Sequence, residues 1–410
     1  MNRREFFATG AMTGAGLAMF PRDLFARSTK TINKNRYPNQ LKFKKDGDWK
    51  EFELYIDVHI HEPAPGFRYH TLAFNNMIPG PEIRVNVGDK VRVRFKNKTG
   101  LNHTIHWHGL HTPWRMDGVP FVTQLPVMPD NEFVYEFEAK PAGTHFYHCH
   151  WSTVMHIQSG MFGSFIIEDP DDPIKKKYNY DREYTLVYSS HDVNFIREEL
   201  NGMLTRMKER TYLNRNGRFD KERFGVFDTV DELMTSMKEN GYEPPYLNTR
   251  KSPELPEENW FTVNGKSYPT TPIMYIREGE KIRVRLINAG ELIHSLHLHG
   301  QDFFEVANDG IPLKNHIEMN TIPIYPGKTH DIVIDGYNRG IWTFHDHNTL
   351  RVTNNGRYPG GNLMTLVYED LPEEERMIVP YSGNQMFNGM DNNNMMTWGG
   401  PKLPKITLDQ

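Results

Sequence analysis

Two stretches of this 410-residue chain match each other at a constant offset of 191 positions. The first runs Gly88-Asp-Lys-Val-Arg-Val-Arg-Phe-Lys-Asn97 and continues to His103-Thr-Ile-His106-Trp-His108-Gly109. The second runs Gly279-Glu-Lys-Ile-Arg-Val-Arg-Leu-Ile-Asn288 and continues to His294-Ser-Leu-His297-Leu-His299-Gly300. Further on, Gly143 stands five residues before His148, and Gly340 five before His345. A unit repeated with its spacing intact is one domain present twice. Within each copy, short alternating runs such as Val91 to Phe95 and Ile282 to Leu286 have strand periodicity. Turns such as Ile78-Pro-Gly-Pro81 and Tyr325-Pro-Gly327 bound them. The pattern predicts an all-β protein with two tandem antiparallel Greek-key sandwiches or barrels, over about 40–170 and 259–370.

The rest of the chain is assigned by composition. Residues 171–258 are expected to be a charged linker with short helices. One is signalled by the Thr229-x-x-Glu232 box and the stop at Gly241; another is expected from Asn194 to Arg210. Residues 371–410 are a Met- and Asn-rich tail with little capacity to form a core. The first 27 residues read as an export signal: Arg3-Arg4 precedes a weakly apolar run ending at Phe20, as in twin-arginine signals. That implies a periplasmic or extracellular location. No later run is apolar enough to span a membrane. A net charge of −4, from 48 basic and 52 acidic residues, gives no footprint for nucleic acid.

The chemistry lies in the histidines. Four His-x-His pairs occur, at His106/His108, His148/His150, His297/His299 and His345/His347, and the sole cysteine, Cys149, sits inside one of them. Side chains alternate along a strand, so His148 and His150 face one way and Cys149 the other. His103 is three residues before His106 and shares the Cys149 side. His156 and Met161 follow in the next loop. Two histidines, a cysteine and a weak axial methionine form a blue-copper donor set, so His103, Cys149, His156 and Met161 are expected to hold a type 1 copper. In the second copy Asp346 replaces the cysteine and that site is lost, leaving His294 as a packing residue. His59-Ile-His61 has no counterpart in the repeat and is expected to be a surface pair on an edge strand. Parity puts His145 on the Cys149 side.

With these motifs the chain resembles the two-domain multicopper oxidases over about 40–370. The resemblance implies cupredoxin-like domains. It also implies about four coppers per chain: the type 1 copper, a type 2 copper on His106 and His297, and a type 3 pair on His108, His148, His150, His299, His345 and His347. It implies a homotrimer in which domain one of one subunit faces domain two of the next. It places electron entry near His156 at the surface. Dioxygen would be the acceptor, and the donor a phenol, an aromatic amine or a metal ion such as Cu(I) or Fe(II). Asp117, in Met116-Asp-Gly-Val-Pro120, resembles the family's proton-relaying acid and is also readable as a turn residue. Spaced methionines, among them Met203/Met207 and Met234/Met237, suit Cu(I) or simply fill gaps in packing. Copper nitrite reductases share the architecture and are the alternative, with copper storage the third reading. His106 and His150 stand where the reductases differ, and so favour the oxidase.

Overall fold

The computed structural model describes residues 39–198, Leu200 and residues 257–372. The expected export signal, the helix near Thr229 and the tail beyond 372 lie outside these residues.

The first domain has nine strands: β1 (Lys44–Asp46), β2 (Trp49–Ala64), β3 (Phe67–Phe74), β4 (Gly80–Asn86), β5 (Lys90–Asn97), β6 (Ile105–His108), β7 (Glu132–Glu138), β8 (Gly143–Cys149) and β9 (Phe162–Glu168). One sheet runs β1-β2-β5-β7 with β3 on β2; the other runs β4-β9-β8-β6. Between β8 and β9 lies helix α1 (Thr153–Ser159), and a second short helix, α2 (Pro173–Tyr178), follows β9. The second domain comprises β10 (Arg182–His191), β11 (Trp260–Val263), β12 (Ile273–Ile276), β13 (Lys281–Asn288), β14 (His294–Leu298), β15 (Phe303–Asn308), β16 (Ile311–Met319), β17 (Thr321–Ile324), β18 (Thr329–Asp335), β19 (Ile341–Asp346) and β20 (Leu363–Tyr368). Its sheets run β11-β10-β13-β18-β15-β16 and β12-β20-β19-β14-β17. Both domains are two-layer β structures, as the alternation predicts.

The repeat extends further than the constant offset indicates. β2 pairs in parallel with β5, with Lys50 opposite Val91, and β10 pairs in parallel with β13, with Arg182 opposite Ile282. β10 is therefore the second domain's copy of β2, and the segment expected to be a linker contains that domain's own first strand. In domain one, β2 turns directly into β3 through Pro65-Gly66; in domain two, β10 and β11 are separated by the excursion 192–259. The insertion shifts the register between copies and hides β10 from a fixed-offset comparison.

β5 has the expected half-buried character: Val91, Val93 and Phe95 are in the core while Arg92 and Arg94 reach acidic partners outside. The matching arginines of β13 differ. Arg283 and Arg285 are buried at the seam between the domains. Arg283 pairs with Asp331 and Asp172, and Arg285 pairs with Glu183 and Asp331 and donates to Thr144 Oγ1 at 2.7 Å. From the first domain, Arg84 reaches Glu183 at 2.8 Å. Beside this network Ala73, Ile78, Phe146 and Phe162 pack against Val187, Ile287 and Ala289. A Cβ on Gly143 would lie 2.3 Å from the Gly310 carbonyl oxygen, so the two backbones touch there and only glycine fits.

One histidine lies elsewhere than expected, and a second is placed more closely than parity could place it. His61 is buried and donates to the Gly265 carbonyl at 2.8 Å across the seam, so the His59/His61 pair is not a surface pair. His145 lies on the Cys149 side of β8 but at its far end, against Pro141, Gly109 and Gly310, away from the thiol.

Candidate metal centre

β6 and β8 pair antiparallel, with Ile105 opposite Cys149 and His106 opposite His148. This register separates the site into two sides. Cys149 points into the core, while His148 turns with His106 and His108 to the opposite face.

On the core side, Cys149 Sγ lies 3.5 Å from His103 Nδ1 and 3.1 Å from His156 Nδ1. All three residues are fully buried. His103 arrives from the loop before β6, and His156 from α1, which Gly160 terminates in a left-handed conformation. Met161 follows, fully buried in the same core. Its backbone ties the loop together: Cys149 N donates to Met161 O and Met161 N donates to His156 O, both at 3.0 Å. Thr99 Oγ1 donates to Asn97 Oδ1, so it accepts from His103 Nε2 at 2.7 Å. The bare nitrogen of His103 is then Nδ1, which faces the sulfur. Burial pushes the Cys149 thiol up to about 12 and the His156 imidazole down to about 3. Without a metal the pocket holds neutral donors with lone pairs converging on one point. That donor set fits copper, whose charge would stabilise the thiolate.

On the other side, the ligating atoms of His106, His108 and His148 lie within 4.8 Å of one another. The His150 ring is 5.5 Å from that of His106. His106 Nδ1 donates to Asp117 O at 2.8 Å, with the Asp117 carboxylate 3.3 Å away, and His148 Nδ1 donates to Cys149 O at 3.0 Å. Each bond fixes the tautomer and leaves Nε2 free, which is how outer partners prepare a ligand histidine. His108 lies against Gly327 of the second domain, where a Cβ would come 3.3 Å from its ring.

The second domain repeats this half. His297 is opposite His345 in the β14–β19 pairing, and Leu296 is opposite Asp346. His297 Nδ1 donates to Asn320 O at 2.9 Å, and His345 Nδ1 donates to Asp346 O at 2.9 Å. His345 Nε2 and His299 Nε2 face each other at 2.9 Å, two donor atoms that one metal ion could share. The His347 ring stacks 6.0 Å from that of His345. Among the described residues, no ring of one quartet contacts a ring of the other. One chain therefore carries two separate half-sites. At the position of the thiol, Asp346 accepts from His294 Nδ1 at 2.7 Å, with both residues fully buried, which is the packing role expected for His294.

His156 differs from the expectation of a surface ligand: it is fully buried, and its Nε2 has no hydrogen-bond partner among the described residues. Thr99 and Asn320, which hold ligand-type histidines from behind, carry no motif. Asn97 was visible as an identity with Asn288, and the pair serves one purpose: each side-chain amide bridges two loop carbonyls, Leu101 and Val127 in one copy and Leu292 and Ile324 in the other.

Comparison with known proteins agrees with this geometry. Two multicopper oxidase family patterns match residues 59–172 and 240–358. Copper resistance protein A of Escherichia coli is 29% identical over 301 residues, 68% of this chain and 46% of the relative. The chain thus spans about half the length of that protein. Among solved structures, a multicopper oxidase called mgLAC is 30% identical with a TM-score of 0.63, over 79% of this chain and 87% of the other. The blue copper oxidase from Nitrosomonas europaea is 31% identical with a TM-score of 0.62, over 79% of this chain and 89% of the other. By its repeat, its fold and these likenesses, the chain belongs to the multicopper oxidase family.

Proposed function

We propose that the protein is a copper-dependent oxidase that takes electrons one at a time from a reducing substrate and delivers them to dioxygen. His103, Cys149, His156 and Met161 would hold a type 1 copper. His106 and His297 would hold a type 2 copper, and His108, His148, His150, His299, His345 and His347 a type 3 pair. Bound copper supplies the redox couple, accepting single electrons at the thiolate and reducing dioxygen to two waters at the cluster. The observation that carries this reading is the position of Cys149. Its Sγ meets one donor set while its two backbone neighbours, His148 and His150, belong to the other, so a few covalent bonds join them. The carbonyls of Asp117 and Cys149 hold His106 and His148 in their ligating tautomers. Asp117, with its carboxylate beside His106, would pass protons to the reduced oxygen.

An eight-histidine cluster needs a domain-one face against a domain-two face, and a second copy of the chain can supply it. Exposed Trp114 and Val122 near the first quartet, and Leu350 near the second, suit such a contact. A closed ring of three copies is the assembly we infer. The twin-arginine start supports export to the periplasm or beyond. Phenols, aromatic amines, Cu(I) and Fe(II) are the donor classes, and the likeness to copper resistance protein A supports the metal ions. The deciding measurement is the copper content of the loaded protein together with oxygen uptake. About four coppers per chain and uptake with a donor are expected; about two, with nitrite turnover, would replace this reading by a nitrite reductase.

A further inference from the structure

Among the described residues, every non-glycine residue with a left-handed backbone is Asn or Asp, save two: Phe121 (φ 62°) and Ser152 (φ 44°). Asn and Asp adopt that conformation readily. A phenylalanine or a serine there is strained, and strain persists only where the surroundings enforce it. Both residues meet at Trp151. Ser152 follows it in the chain, and the Phe121 ring lies 5.8 Å from its ring. A serine ahead of a helix ordinarily has an extended backbone and caps the helix with its hydroxyl. Ser152 precedes α1, yet it is left-handed and makes no side-chain cap. Phe121 is held by a tight loop. Its N donates to Gln124 O at 2.8 Å, and the N–H groups of Val122, Thr123 and Gln124 all donate to Val119 O. Gly118 seats that loop on β6, since a Cβ there would lie 1.8 Å from Ile105 O.

What the strained pair aims is the Trp151 carbonyl. Its oxygen belongs to the peptide plane between Trp151 and Ser152, so φ of Ser152 sets how that plane stands against α1. A right-handed φ would swing the plane by roughly 100°. As it stands, the oxygen accepts from Cys149 Sγ at 3.7 Å. The same carbonyl is the backbone partner of the His156 ring. His156 Nε2 has no partner among the described residues, so the nitrogen concerned is Nδ1, the one that faces the sulfur. An oxygen within reach of both ligand atoms faces the point on which they converge.

We propose that the Trp151 carbonyl oxygen is a fifth donor of the thiolate site, beside His103, Cys149, His156 and Met161. It is a hard oxygen among softer nitrogen and sulfur atoms, and hard donors favour Cu(II) over Cu(I). The carbonyl therefore lowers the reduction potential of copper bound there and sets how strongly reducing an electron donor must be. Phe121 and Ser152 are positioning residues: one holds the Trp151 ring, the other turns its carbonyl inward. This inference rests on the type 1 assignment above and adds an atom to it.

The test compares Ser152→Val with Ser152→Gly in the full-length, copper-loaded protein. Valine resists a left-handed backbone, whereas glycine adopts it freely. The readout is the reduction potential of the blue copper, found by titrating the blue band with a redox mediator, and needs no turnover. In Ser152→Val the Cu(II)/Cu(I) balance should move at least about 10-fold toward Cu(I), a rise of about 59 mV. In Ser152→Gly it should stay within about 2-fold of the wild type. Should Ser152→Val fail to fold or to bind copper, Phe121→Ala takes its place. That change frees the Trp151 ring without touching Ser152, and a rise of about 3-fold in the same balance is expected. A wild-type potential in whichever of these two variants is measured would overturn the fifth donor. So would a Ser152→Gly potential raised as far as that of Ser152→Val. Absence of a blue band in the copper-loaded wild type would remove the type 1 assignment itself, whereas a blue band with an unmoved potential removes the carbonyl alone.

Discussion

The same frame ends in a cysteine in one domain and in an aspartate in the other, and the polar partners of the two residues differ accordingly. Cys149 and Asp346 occupy equivalent strand positions, and His103 and His294 face them. In domain one, His103 is pinned from behind by Thr99 and presents a bare nitrogen to the sulfur. The equivalent of Thr99 is Gly290, and His294 Nε2 has no partner among the described residues. His294 instead turns a proton toward Asp346, and Arg351 approaches the same carboxylate at 3.8 Å. After Cys149 the chain forms a helix that brings His156 and then Met161. After Asp346 a short 3-10 turn, Thr349–Val352, brings only Arg351. The first arrangement is a set of lone pairs that needs a cation. The second is a carboxylate satisfied by an imidazole and approached by a guanidinium. One repeat can therefore present an open donor set or a plain core, depending on whether its polar groups find partners within it.

Several substitutions would break or sharpen that contrast. Cys149→Ser removes the soft ligand; loss of the blue absorption and a fall in oxygen uptake of at least about 100-fold are expected, measured spectrophotometrically and with an oxygen electrode. Asp346→Ala leaves the buried His294 proton without an acceptor. It should cost about 2–3 kcal/mol in denaturant melts while the blue colour persists. Asp117→Asn should slow oxygen reduction by about 3- to 10-fold without changing the blue band; unaltered turnover would reduce Asp117 to a turn residue.

Acid provides a milder probe. Burial pushes His61 down to about 3 and His145 down to about 4, from an ordinary value of 6.5. The unfolded chain binds their protons first, so their contribution to stability is intact above pH 6.5 and is lost as pH falls toward 4. Each should remove up to about 1.4 kcal/mol per pH unit from the copper-free protein, read as a falling Tm. The smallest effect is expected from Asp346→Cys. No blue band should appear, because no second histidine stands where His156 does; a blue product would show that the thiolate and His294 suffice.

The half-sites were legible because strand parity is rigid: once His-Cys-His lies on a strand, the division of its faces follows. The domain pattern was legible from the repeat up to the point where an insertion broke its spacing, and there β10 passed for linker. What alternation could not reveal was what covers the outer face of a strand. Arg94 and Arg285 read alike, yet one meets an exposed glutamate and the other Thr144 of the neighbouring domain. His61 was placed at the surface for the same reason, since Gly265, which covers it, is distant in sequence.

The seam of buried arginines has a geometric consequence. With Thr144 of the first domain bonded to both Arg285 and Asp331 of the second, and Gly143 in backbone contact with Gly310, the angle between the two histidine faces of one chain is fixed. In the head-to-tail assembly proposed above, that angle would decide whether the copies close into a ring and after how many members, or continue as an open helix. A substitution at the seam, far from any ligand, would then act on the number of copies in the assembly before it acted on chemistry.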